Sequence, residues 1–256
     1  MKNVSWYLPV FAALPLLFAG CDGAAAPRTP TPAAPSQTIV SLTFDDGDAD
    51  NFQAAALLDQ YKLRATWYIP SGLVGTAGYM TWDELLALQS SGHEIGGHSL
   101  QHTRLDGLPA AELKRQVCDD RDALKSHGFQ PISFAYPFGA YDPAATKMVQ
   151  DCGYLSARTI GAGPDSIPPI DPYQLRAYPY IVQDTSFSKL QRYVSGVRKD
   201  GGGWLILIFH HVCAGCDYFS VPPDVFQRFI VWLAEEQAQG RVKVHTVGDI
   251  IVNGAP

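Results

Sequence analysis

Lysine and arginine nowhere cluster in these 256 residues, and the 25 acids outnumber the 19 bases for a net charge of −6. That leaves no electrostatic footprint for a nucleic acid. No segment repeats itself, and nothing like a Gly-rich dinucleotide loop is present. Charge is missing altogether from "WYLPVFAALPLLFAG", which starts at Trp6. The run is too short for a good membrane span, and Pro9 and Pro15 break it. What remains is ordinary for a soluble globular protein: 46% hydrophobic, 17% charged, and long enough for one large core or two small ones.

Lys2 before the uncharged run gives it the form of a secretory signal over residues 1–20. The ending "FAGC" resembles a bacterial lipobox, in which Cys21 would be lipidated after cleavage, although Phe18 stands where leucine is usual. A plain signal peptide cut nearby is the alternative. The next stretch, "DGAAAPRTPTPAAPSQ", has almost nothing to bury and reads as an extended tether over residues 21–37. The expectation is an exported chain, a cell-envelope lipoprotein or otherwise secreted or periplasmic, that meets a membrane only through that anchor. With Cys21 set aside, four of the five cysteines remain. In an exported protein an even number suggests disulfides, most simply Cys118–Cys152 and Cys213–Cys216. A redox pair or half a zinc site is the other reading of Cys213-x-x-Cys216.

From Thr38 to the C-terminus the chain alternates strand-like and helix-like segments. "TIVSLTF", "ATWYIP", "HEIGGH", "ISFAYP", "YLSAR", "QLRAY", "WLILIF" and "RVKVHTV" read as eight strands. Six helices are predicted between them. Thr81 and Glu84 form a capping box that opens one over 82–90. Pro109 opens another that runs to about His127 and is closed by Gly128. Helical crossovers throughout favour one α/β domain over 38–256 with a parallel sheet. A barrel fits at the lower end of its size range, and an open doubly wound sheet is the rival.

In such folds chemistry gathers where strands end. Asp45 and Asp46 follow the first strand, "HSLQH" ends the third, "YPFG" follows the fourth, and His210 and His211 end the strand "WLILIF". His98 and His102, spaced i, i+4, would share a face if that segment starts a helix, and could then bind one divalent metal. Two histidines and one carboxylate leave positions open for water and substrate. Adjacent residues at a strand end do not face the same way. One acid can therefore bind the metal while the other takes a proton. A glycosidase pair needs carboxylates facing each other about 5–9 Å apart, which neighbours in sequence do not readily provide. Gly47 lets the chain turn sharply beneath the site.

In this order "TFDDG", "HSLQH", "YPFG" and "IFHH" resemble the polysaccharide deacetylases of carbohydrate esterase family four, the NodB-homology domain, over about residues 38–252. The resemblance implies a distorted (β/α) barrel of seven or eight mostly parallel strands. It implies removal of acetyl groups from N-acetylated glycans or O-acetylated xylan with a divalent metal, zinc above all, with Co2+ or Mn2+ as alternatives. By motif, Asp46, His98 and His102 would be ligands, Asp45 the general base and His210 the general acid. The Phe138 N–H would help hold the oxyanion.

Two features of that family are missing. Ala135 stands where the third motif begins with the arginine that pairs with the base, and no acidic fourth motif appears between Leu155 and Tyr180. Arg158 at the end of the fifth strand is the candidate replacement, with Arg176 next and an ordinary ion-pair arginine as the plain alternative. His211 is read as structural, and His93, His127 and His245 as ordinary. Tyr79, Trp82, Tyr136 and Tyr141 could stack on sugars or simply be core. The leading expectation is a deacetylase acting on an N-acetylated glycan such as chitin or peptidoglycan. The rivals are an O-acetyl esterase on xylan and a non-catalytic glycan-binding domain, which would need neither ligands nor an acid.

Overall fold

Strand β1, Thr38–Phe44, is buried at all seven positions, the mark of a strand covered on both faces. Its side chains alternate between two cores. Val40, Leu42 and Phe44 join a large cluster with Trp67 and the helices. Ile39 belongs to a second cluster with Leu175, Trp204, Ile206 and Ile208. The polar residues on that second side are satisfied: Ser41 donates to the His245 carbonyl and accepts from the Trp204 indole, and Thr43 donates to the Leu207 carbonyl.

The computed structural model describes residues 1–3, 37–161, 163–178 and 181–254. The expected signal run, Cys21 and nearly all of the tether lie outside the described residues. The elements that follow β1 are α1 (Asn51–Gln60), β2 (Ala65–Ile69), α2 (Trp82–Ser90) and β3 (Glu94–Gly97). Then come α3 (Ala110–Lys114), a π turn (Arg115–Asp119) and α4 (Asp120–Ser126). They lead to β4 (Ser133–Ala135), α5 (Pro143–Asp151), β5 (Ser156–Arg158), α6 (Phe187–Lys199) and β6 (Gly203–Phe209). Short β7 (His211–Val212) and β8 (Ser220–Val221) precede α7 (Pro223–Ala238), β9 (Lys243–Val244) and α8 (Val247–Asn253).

The main sheet has seven strands, all parallel, in the order β5-β4-β3-β2-β1-β6, with β9 added on β1. β1 has room for this extra partner because β2 pairs only with Leu42–Phe44, leaving Ile39 and Val40 for β9. The edge strands β5 and β6 are joined through Leu175, Tyr178 and Ile181. Leu175 exchanges hydrogen bonds with Ala157 and Thr159, and the Tyr178 and Ile181 N–H groups reach the Ile206 and Ile208 carbonyls. The ring is thus completed by isolated bridges, not by a ladder. The open doubly wound alternative is set aside, and the architecture is a distorted barrel of parallel strands and helices.

Three local expectations change. "QLRAY" contributes the bridging segment just described, not a regular strand. The helix from Pro109 is interrupted by the π turn. The last predicted strand is cut to Lys243–Val244 because a Thr246–Asp249 capping box starts α8 at once.

Both expected disulfides are formed. Cys118 in the π turn joins Cys152 at the C-terminal end of α5, and Cys213 joins Cys216 between β7 and β8. The first spans 34 residues of sequence. In the chain-entropy account, closing a loop of that size contributes about 3–4 kcal/mol. Urea unfolding of a Cys118→Ser/Cys152→Ser variant should show a loss of that order; an unchanged midpoint would mean the bridge adds no stability.

Candidate active site at the strand ends

β1 continues its pairing with β6 for one residue past its end, as the Asp45 N–H donates to the Phe209 carbonyl at 3.0 Å. The regular strand then stops, because Asp46 and Gly47 both adopt left-handed backbone (φ 69° and 72°). This turn, more than simple strand alternation, sends the two carboxylates different ways. A non-glycine residue held in that region costs roughly 1–3 kcal/mol and persists only where its surroundings enforce it. Among the described residues five non-glycines have such φ values, and Asp46, Ser99, His102 and Phe138 are four of them. That concentration at one end of the barrel marks it as the functional end.

The "HSLQH" segment is not the start of a helix. Ser99 and His102 are left-handed (φ 64° and 53°), so the segment is a tight loop at the end of β3. The loop nevertheless brings the two imidazoles together, with ring centroids 4.9 Å apart. The Ser99 hydroxyl, fully buried, accepts the Thr103 N–H at 3.0 Å and so closes the loop on itself. Gly97 just before it admits no side chain, since a Cβ there would collide with the Tyr154 hydroxyl at 2.0 Å.

Asp46, His98 and His102 form a three-donor cluster. Asp46 Oδ1 is 3.3 Å from His98 Nε2 and 3.1 Å from His102 Nε2. Ligands at about 2.0–2.1 Å from a tetrahedral centre lie roughly 3.3–3.4 Å from one another, so the spacing suits zinc-like coordination. Asp46 Oδ1 is buried without a well-formed hydrogen bond, which fits an atom whose partner would be an ion. His98 Nδ1 lies 2.7 Å from the Ala135 carbonyl. A carbonyl only accepts, so Nδ1 carries the proton and Nε2 is left to face Asp46. Burial opposes the charge on Asp46, but His98, His102 and His210 around it hold its carboxyl well below the usual range. Burial, aided by His98, lowers His102 to about 4, which keeps that imidazole neutral as a ligand must be.

Asp45 is held from across the barrel mouth. Arg158 Nη2, at the end of β5, lies 2.5 Å from Asp45 Oδ2. Arg158 is 1% exposed and Asp45 5%, and the guanidinium sits 5.2 Å from the centre of the Tyr68 ring. Oδ2 is thus occupied, while the other oxygen, Oδ1, is buried without a hydrogen bond. The arginine that meets Asp45 thus comes from β5, the strand beside the one that carries Ala135. Arg176 does not take part: it is half exposed and binds Asp165 and the Pro164 carbonyl instead.

His210 Nε2 is 4.0 Å from Asp45 Oδ2 and 4.0 Å from Asp46 Oδ2. Burial lowers its pKa, and the two acids oppose that shift. Phe138 is in the turn after β4, 57% exposed, and its ring lies 4.6 Å from that of His102. Its N–H makes no hydrogen bond among the described residues. These groups, with Tyr136, Gly139, Ile160 and Phe219, line a cavity of about 110 Å³. At ~30 Å³ per water, it is the size of a few water-sized groups and suits a small acyl group.

The remaining histidines and aromatics are tied into the scaffold. His211 lies between Asp50 (3.1 Å) and Asp48 (3.4 Å), and the Val212 N–H also reaches Asp50. His211 thereby clasps the β1–α1 turn to the segment after β6. His93 accepts the Ala65 N–H. Trp82 stacks on His127 at 3.6 Å, and Tyr136 stacks on Tyr141 at 4.9 Å. Tyr79 lines a second small cavity beside Asp46, Asp48 and His102. Sequence reasoning missed Gln116 and Asp120, which lie fully buried behind the "HSLQH" loop. A buried π turn between two helical segments carries no motif that would have found them.

The family model described as polysaccharide deacetylase matches residues 33–157. A peptidoglycan-N-acetylglucosamine deacetylase of Bacillus cereus is 28% identical over 121 residues, covering 46% of this chain and 55% of that protein. The peptidoglycan-N-acetylmuramic acid deacetylase PdaC of Bacillus subtilis is 31% identical over 121 residues, covering 46% of this chain and 25% of that protein. The matches span less than two thirds of the length of these relatives. A family 4 acetyl xylan esterase from Clostridium thermocellum in complex with a cobalt ion has the same fold. Its TM-score is 0.60 at 21% identity, over 84% of this chain and 91% of that one. Over residues 33–157 the chain is similar to the polysaccharide deacetylases, and it shares the fold of the family 4 carbohydrate esterases.

Removing one partner of a buried ion pair leaves the other charge uncompensated, at a cost of about 3–5 kcal/mol. Arg158→Ala should lower stability by that order, and Arg158→Lys should recover part of it, since a point charge replaces a planar fork. Chemical denaturation of the two variants checks this; an Arg158→Ala protein as stable as wild type would mean the pair contributes nothing net.

Proposed function

We propose that this protein is a metal-dependent deacetylase that hydrolyses acetyl groups from an N-acetylated glycan of the exported cell envelope, such as peptidoglycan or a chitin-like polymer. The observation that carries the reading is the pairing of the Asp46–His98–His102 cluster with a separately held Asp45 in one acyl-sized cavity. Asp46, His98 and His102 would hold the divalent metal, zinc by donor type, with cobalt or manganese able to substitute. When bound, the metal polarises the acetyl carbonyl and acidifies a water.

The chain's own residues supply the rest. Asp45 takes the proton of the attacking water on Oδ1 while Arg158 keeps Oδ2 occupied and the carboxylate oriented. His210, within reach of the same space, gives a proton to the departing nitrogen, which cannot leave as an amide anion. The Phe138 N–H, which has no hydrogen-bond partner among the described residues, would serve as a donor for the developing oxyanion at the cavity that Phe138 lines. Two disulfides favour an oxidising compartment. The relatives named for peptidoglycan deacetylation favour the cell wall over xylan as substrate, and an anchor at Cys21 would keep the enzyme there. An O-acetyl esterase would use the same residues, and only substrates distinguish the two. A glycan-binding domain would have no use for a buried base held by its own arginine.

Asp45→Asn should keep the metal and lose about 10²–10⁴-fold in kcat, the usual contribution of a positioned base. Acetate release measured beside metal content decides it, and near-wild-type turnover would remove Asp45 from the role.

Wild-type protein should contain one equivalent of metal by elemental analysis, and His98→Ala/His102→Ala none. Acetate should be released from peptidoglycan or chitooligosaccharide in preference to acetylxylan, and a chelator should abolish it. Equal metal in both proteins would overturn the ligand assignment, and a preference for acetylxylan would overturn the substrate.

A further inference from the structure

The loop that carries His98 and His102 is suspended from the π turn between α3 and α4. A π turn widens the backbone ring by one residue and leaves a carbonyl outside the helical ladder. Here the Gln116 carbonyl accepts the Leu100 N–H at 2.8 Å. The Gln116 side chain, 0% exposed, accepts the Gln101 N–H on Oε1 at 3.1 Å. Its amide nitrogen donates to Glu112 Oε1 at 2.9 Å, which fixes which end faces the loop. From the other side the Gly72 N–H donates to the Leu100 carbonyl at 2.8 Å. Gly72 is itself held through Ser71, whose N–H and hydroxyl both donate to fully buried Asp120, just past the π turn. Leu100 lies midway between the two histidines, and the residues flanking it in the loop include left-handed Ser99 and His102.

We propose that Gln116 is a positioning residue for the metal site: through its carbonyl and its side chain it holds the "HSLQH" loop in its strained, ligand-ready form before any ion arrives. This rests on the reading of His98 and His102 as ligands. Without the Gln116 amide the loop can relax toward ordinary backbone, and binding must then re-impose the strained form. The cost falls on metal affinity, where supporting residues around a site are worth about 10- to 100-fold. The Cys118–Cys152 bridge, which anchors the same π turn to α5, adds to the stiffness of the support.

The test uses full-length chain stripped of metal, wild type against Gln116→Met, which keeps volume but removes both ends of the amide. Zn2+ affinity is read by competition with a chromophoric chelator, and the ligand field by the d–d spectrum of the Co2+ form. The expected result is Zn2+ bound about 10- to 100-fold more weakly with a displaced Co2+ spectrum. A variant that melts earlier but binds Zn2+ and Co2+ as wild type does would make Gln116 merely structural and overturn the proposal. Wild type that takes up no Zn2+ would sink the ligand reading and this inference together. Amide hydrogen exchange on metal-free wild type supplies a check independent of the variant. Leu100 and Gln101 should be protected like the helix, and exchange at the rate of exposed loop amides would overturn the proposal.

Discussion

The contact between Asp45 and Arg158 is the constraint on which the rest of the site depends. Both charges are taken out of water, and neither can stay there without the other. They come from β1 and β5, strands that the sheet order separates by three others, so the pair is a strut across the mouth of the barrel. With the strut in place one oxygen of Asp45 is spoken for and the other is fixed in direction. The left-handed turn at Asp46 and Gly47 lays the second carboxylate toward His98 and His102.

Around that strut the site is assembled from backbone held where it would not rest by itself. Left-handed Asp46, Ser99, His102 and Phe138 sit in turns tied by backbone hydrogen bonds such as Gly47 to Asp45, Leu100 to Gln116 and Gly139 to Tyr136. The two His98 nitrogens are divided between a carbonyl of β4 and the ligand cluster. Strain and hydrogen bonding are thus two sides of one arrangement. The scaffold uses part of its stability to keep donors convergent.

Much of this was legible in the sequence. The alternation of apolar strands and amphipathic helices gave the parallel fold. Asp45, Asp46, His98, His102 and His210 declared themselves by standing at strand ends. Arg158 could be suspected only because Ala135 left a charge unaccounted for. What was not legible depends on distant contacts. A period of four in "HSLQH" suggests a helix, yet the loop is fixed by a π turn that no local pattern in "LKRQVCDD" announces. "QLRAY" looks like a strand, but its neighbours leave it space for bridges alone. His211 reads as structural and His127 as ordinary, but their partners, Asp48, Asp50 and Trp82, come from elsewhere in the chain and no local pattern names them.

The irregular closure of the barrel has a mechanical meaning. Six strands of the sheet are paired in order from β5 to β6, with β9 on β1, but among the described residues β5 and β6 are joined to each other through bridges and hydrogen bonds at Leu175, Tyr178 and Ile181. Arg158 stands at the end of the strand on one side of that seam and His210 just beyond the strand on the other. Among the described residues no continuous ladder spans that seam. Sequence changes there would adjust the gap between the arginine and the histidine while leaving the Asp46–His98–His102 cluster, on β1 and β3, where it is. The fold thus separates a rigid arc that holds the ligand set from an adjustable joint that sets the breadth of the cleft.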